Sequence, residues 1–152
     1  MKALIPAALI LGAISPYGEC SDVIVSLASK HVALKEAPQG TKYYPFNEAN
    51  AGLGYVSAKG YVIGAYYNSL RKPTVYGGYS MKCSVLDCSI VVASGYDMIT
   101  KSLGFPRALQ HTLPMAIIGY DVVTVKGTSI TLNYVFQPDV IQVFGLSIKY
   151  KL

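Results

Sequence analysis

The sequence predicts an all-β protein, an eight-stranded antiparallel up-and-down transmembrane β-barrel that follows an N-terminal signal peptide. Three observations predict it. Eight segments of about ten residues, rich in Tyr, Val, Ile and Gly, are separated by turn signals. The last of these, VIQVFGLSIKYKL, alternates: Phe144, Leu146, Ile148, Tyr150 and Leu152 fall on one face, and Gly145, Ser147, Lys149 and Lys151 on the other. Finally, only 14% of the 152 residues are charged and 52% are hydrophobic, whereas a soluble domain carries roughly a quarter charged residues. No stretch approaches the ~20 apolar residues of a membrane-spanning helix. Thirteen Tyr and 14 Gly with no Trp suit strands and turns.

The elements follow in order. Residues 1–20 read as a leader: Lys2 is the positive start, Ala3 to Ile14 the apolar centre, and Gly18 and Cys20 the small residues before a cut ahead of Ser21. Residues 21–152 then form the barrel. Its strands are expected at Asp22 to Ala33, Ala51 to Ala58, Tyr61 to Leu70, Thr74 to Cys83, Cys88 to Met98, Ala116 to Val125, Ser129 to Gln137 and Val140 to Leu152. Lys59-Gly60, Arg71-Lys72-Pro73, Lys126-Gly127 and Pro138-Asp139 are the breaks between them. Residues 99–114 form the one long irregular stretch. Cys83 and Cys88 flank SVLD, a four-residue hairpin loop across which an exported chain can form a disulfide. Two thiols fall short of the four ligands of a structural zinc, so neither metal nor cofactor is expected.

In YVIGAYYNSL, Tyr61, Ile63, Ala65 and Tyr67 face one way and Val62, Gly64 and Tyr66 the other, both faces being apolar or small. A lipid-facing wall accounts for one greasy face and a dry lumen for the second. Glycines such as Gly64 either leave room for a ligand or accommodate tyrosines opposite. With the short turns at one rim, the longer connections gather His31, Asn47, Glu48, Asn50, Asn68, Ser69 and His111 at the other. A histidine can take a proton from a hydroxyl, and an amide can orient the partner or donate to an oxyanion. Asn and Ser at a strand end are also favoured turn formers.

From His31 to the end, the chain resembles the PagP-type lipid A palmitoyltransferases. The resemblance is carried by His31, FNEANAGLG with Asn47-Glu48, GAYYNS at 64–69, YGGY at 76–79, ASGY at 93–96 and LPMAIIGY at 113–120. It implies a bacterial outer-membrane barrel that moves an acyl chain from phospholipid to lipid A, or to a related lipopolysaccharide acceptor. It also implies that His31 and Ser69 are catalytic. Asn68, the third expected catalytic residue, stands where the family has Asp; an amide can orient a partner or donate but cannot serve as a carboxylate base. Asn47, Glu48, Tyr67 and Gly64 are expected to contact substrate. A closed barrel is complete as a monomer.

The net charge of +5 suits anionic lipid headgroups. Lys42-Tyr43-Tyr44 is too short a basic and aromatic run for nucleic-acid binding. The competing function is a non-enzymatic surface barrel that binds through residues 99–114, with Lys101, Arg107 and His111 as contacts. A soluble lipocalin-like barrel is disfavoured by the two greasy faces of residues 61–70 and 116–125.

Overall fold

The computed structural model describes residues 14–16, 20–33, 46–102, 104, 106–136 and 141–152. The strands are β1 (Ile14–Pro16), β2 (Asp22–Ala33), β3 (Gly52–Val56), β4 (Tyr61–Tyr67), β5 (Pro73–Cys83), β6 (Leu86–Ser94), β7 (Thr112–Val125), β8 (Thr128–Phe136) and β9 (Ile141–Lys151). A helix α1 (Asp97–Ser102) and a 3-10 turn (Arg107–Leu109) lie between β6 and β7.

Strands β2 to β9 each pair antiparallel with the next, and β9 returns to β2, so eight strands close a barrel. Starting from Asp22, the first residue of β2, the ladder passes through Val56, Val62, Gly78 and Val91 to Met115, near the start of β7. This drift is the strand tilt that closure requires. Met81 to Cys83 extend past the start of β4, and β1 pairs with β5 there. The rest of the expected leader, apart from Cys20, lies outside the described residues.

Turn chemistry decides several boundaries. The expected SVLD loop is a two-residue turn, Ser84-Val85, because Ser84 adopts a left-handed φ of 62° and lets Leu86 and Asp87 pair. Cys83 and Cys88 are joined by a disulfide, with their Cα atoms 6.0 Å apart. Lys126 and Gly127 both have positive φ, as a type I′ hairpin turn requires. β6 stops at Ser94, short of the expected Met98, where Gly95 turns at φ 81° and α1 begins. β7 starts at Thr112 rather than Ala116, so the irregular stretch, residues 95–111, is shifted toward the N-terminus. β4 ends at Tyr67 rather than Leu70 because Asn68 opens a turn there.

The outer wall is apolar. Leu53, Ile63, Val75, Ile90, Val122 and Leu132 are among its exposed residues, Ile63 at 66%. The inner face divides in two. Toward the rim of long connections β6 and β7 make it apolar, with Val91, Leu113 and Met115 buried, and Val56 and Val62 carry apolar packing down to the β3–β4 turn. Toward the turn rim β5, β8 and β9 make it polar, with Ser80, Ser129, Thr131, Ser147 and Lys149 buried. A uniformly dry lumen was expected from the greasiness of β4 and β7, but β5, β8 and β9 turn their polar faces inward. The glycines are resolved as well: a Cβ on Gly64 or Gly54 would collide with the Tyr76 ring or its hydroxyl, so the ring occupies that space.

Gly64→Ala is accordingly expected to lower stability by ~1–3 kcal/mol through overpacking. Most of that loss should return in Gly64→Ala with Tyr76→Leu. Urea unfolding reads the coupling. Additive effects of the two changes would show that Tyr76 does not depend on Gly64.

Candidate functional site

β2 positions His31 by means of an irregularity. Asp22, Ile24 and Ser26 face the lumen, and simple alternation would send Lys30 inward and His31 outward. The register shifts between Ser26 and Ala28, leaving Leu27 as a bulge. Beyond the bulge the parity is reversed. Ser29 and His31 line the lumen, while the Lys30 side chain is 70% exposed and pairs with Glu48 at 2.8 Å. His31 stacks on Phe46, with centroids 4.5 Å apart and planes 12° apart. Its Nδ1 is buried and has no hydrogen-bond partner among the described residues.

Residues 46–51 bridge β2 and the end of β4 above the short β3. The Ser29 amide donates to Glu48 O at 2.8 Å, the Tyr67 amide to Ala51 O at 3.0 Å, and the Asn47 amide to Ser69 O at 2.8 Å. Asn50 is buried, bonded to Ser29 Oγ, and donates through Nδ2 to Tyr67 O at 3.0 Å. Two adjacent residues, Phe46 and Asn47, thus touch His31 and Ser69 respectively. Both His31 and Ser69 line a cavity of about 200 Å3 whose walls include Val62, Tyr66, Val91 and Met115. Tyr66 and Tyr96 share a 2.5 Å hydrogen bond between their hydroxyls in that wall.

Asn68 is fully buried, and all four of its amide valences are used. Nδ2 donates to Thr74 Oγ1 at 2.9 Å and to Gly95 O at 3.1 Å, and Oδ1 accepts from the Leu70 and Lys72 amides, each at 2.9 Å. These bonds fold the turn and tie it to the start of β5 and the end of β6. Asn68 therefore holds Ser69 in place and keeps no donor for a reacting group. The other expected contacts separate. Asn47 closes a local turn on Ala49, and Glu48 faces outward to Lys30. Tyr67 lies on the outer wall, 46% exposed, and Gly64 faces the Tyr76 ring. Phe46 and the Tyr66–Tyr96 pair, unremarked in the sequence, belong to the site. FNEANAGLG contained Phe46, but only the return of residues 46–51 over β3 shows that it meets His31.

His111 stands apart from the cavity. Its Nδ1 lies 2.6 Å from Asp97 Oδ1, and Lys72 Nζ lies 3.2 Å from Asp97 Oδ2, which braces α1 against the β4–β5 turn. Hydrogen bonds from His111, then Lys72, hold the Asp97 carboxyl below its ordinary value of 3.8. A lowered carboxylate pKa stabilises the folded form above the unfolded value, and this contribution is lost as pH falls through the folded one. Protection of the Thr100 amide, which bonds to Tyr96 O, should hold above about pH 4 and decline below it. Hydrogen exchange corrected for intrinsic rate checks this, and Asp97→Asn should flatten the profile.

Among the described residues, no cluster of His, Cys, Asp and Glu could hold a metal. No family model, curated protein or solved structure matches the chain.

Proposed function

We propose that the protein is an outer-membrane barrel that transfers an acyl chain from a phospholipid to a hydroxyl of lipid A or a related acceptor. The observation that carries this proposal is the cavity itself. It has apolar walls, and on its lining His31 presents a buried Nδ1 with no partner among the described residues. The apolar outer wall suits lipid on the outside, and the resemblance to PagP-type enzymes points the same way. Aromatic and aliphatic walls take up a hydrocarbon chain by excluding water from it. The polar layer formed by Ser80, Ser89 and Thr131 bounds the apolar zone below and favours a short chain.

In this proposal the donor ester lies at the rim with its acyl chain in the lumen. His31 takes the proton from the acceptor hydroxyl as that oxygen attacks the ester carbonyl. The tetrahedral oxyanion collapses, the bond to the lysophospholipid oxygen breaks, and that oxygen takes the proton from His31. Ser69, held by Asn68, donates to the oxyanion. Asn68 thus contributes as a scaffold, where the family's Asp would carry charge.

The test is expression of the full chain in a Gram-negative host lacking its own lipid A palmitoyltransferase, followed by mass spectrometry of extracted lipid A. An added acyl mass is expected. A folded, membrane-inserted barrel without added mass would favour surface binding through the β6–β7 connection.

A further inference from the structure

Two cavities meet at one side chain. The cavity below His31 reaches down to Asp87 and Lys149. A second, also of about 200 Å3, begins there and is lined by Lys82, Asp121, Thr124, Ser129, Lys149 and Lys151. Lys149 borders both. It projects from β9, and its Nζ lies 2.6 Å from Asp87 Oδ2 on β6 and 2.7 Å from Asp121 Oδ2 on β7. Asp87 Oδ1 also pairs with Lys82 on β5 at 2.5 Å, and Asp121 Oδ1 accepts from Thr131 on β8 at 2.6 Å. Five consecutive strands therefore supply one cross-linked layer between the two cavities.

We propose that this layer is an ionic septum that closes the lumen, and that without Lys149 the two cavities join into a cation-conducting pore. The inference rests on membrane insertion but not on acyl transfer. Its sign follows from the charges. Lys82 and Lys149 balance Asp87 and Asp121, and the Lys149 side chain is only 9% exposed. Removing one partner of such a desolvated cluster leaves a carboxylate uncompensated in the lumen, which draws in water and counter-ions. Removing Lys149 also leaves the space its side chain filled, on the line between the two cavities. A negative layer in a narrow lumen favours cations over anions.

The experiment uses the full chain in planar bilayers with a potassium chloride gradient, after flotation with vesicles has established insertion. Wild type and Lys149→Arg, which keeps the charge, should be silent. Lys149→Ala should show stepwise currents with a reversal potential shifted toward that of potassium. If Lys149→Ala does not fold, Lys149→Ala with Asp87→Ala removes one charge of each sign, and it should conduct with little ion preference. Wild-type currents equal to those of Lys149→Ala would overturn the septum. So would silence from an inserted, folded variant, which leaves the membrane reading standing. If wild type does not float with vesicles, the membrane reading fails and the septum with it.

Discussion

Replacing His31 with alanine is expected to lower acyl transfer by about 100-fold or more while the barrel stays folded, the usual cost of losing a positioned general base. His31 sits near the end of β2 and stacks on a single ring, Phe46. Its removal therefore disturbs little of the ladder and leaves no buried partner unsatisfied. Ser69→Ala should also lower transfer by about 100-fold, because it removes one oxyanion donor while leaving the proton acceptor in place. Phe46→Ala should fall between wild type and His31→Ala, since the imidazole remains but loses the ring that fixes its plane. The readout is acyl mass on lipid A per folded barrel, with folding measured by the heat-dependent gel shift. Wild-type transfer by His31→Ala would place the chemistry elsewhere.

The second large effect is on stability. Asn68→Ala should destabilise the barrel by ~3 kcal/mol, because it strips hydrogen bonds from four buried or half-buried groups at once. The Leu70 and Lys72 amides lose their acceptor, and Thr74 Oγ1 and Gly95 O lose their donor. Asn68→Asp, which introduces the residue type of the resembling family, should also destabilise the barrel, though less. Its second oxygen would face Gly95 O, two acceptors in contact. Urea unfolding at neutral pH should therefore place the order of stability as wild type, then Asn68→Asp, then Asn68→Ala. An Asp variant as stable as wild type would mean that the turn can rearrange to leave the carboxylate free.

The strands were legible because a barrel wall writes itself into sequence with period two. Phe144, Leu146, Ile148 and Tyr150 face out, and Gly145, Ser147 and Lys149 face in, as the alternation in the last segment required. The cysteine pairing was legible too, since only a few residues separate Cys83 from Cys88. Boundaries were less so. β6 ends where Gly95 takes a positive φ, a conformation that composition does not announce.

The site was half legible. Alternation, extended by one residue at a time, sends His31 to the outer wall. The bulge at Leu27 brings it inside, and nothing local in SLASKH marks that bulge. The roles of Asn68 and Gly64 were open for a related reason. An amide at a strand end and a glycine in a strand have several uses, and the neighbours that choose among them are distant in sequence. For Asn68 these are Thr74 and Gly95; for Gly64 it is Tyr76.

Sequence by itself determined the number of barrel strands, their order and the position of the disulfide. All of these follow from short-range periodicity and from turn residues. Tertiary structure decided what the lumen holds. Closure brings β9 against β2 and sets Lys149 between Asp87 and Asp121, residues dozens of positions away along the chain. The pairing of charges across a lumen depends on strand stagger, and stagger is fixed only when all eight strands close together.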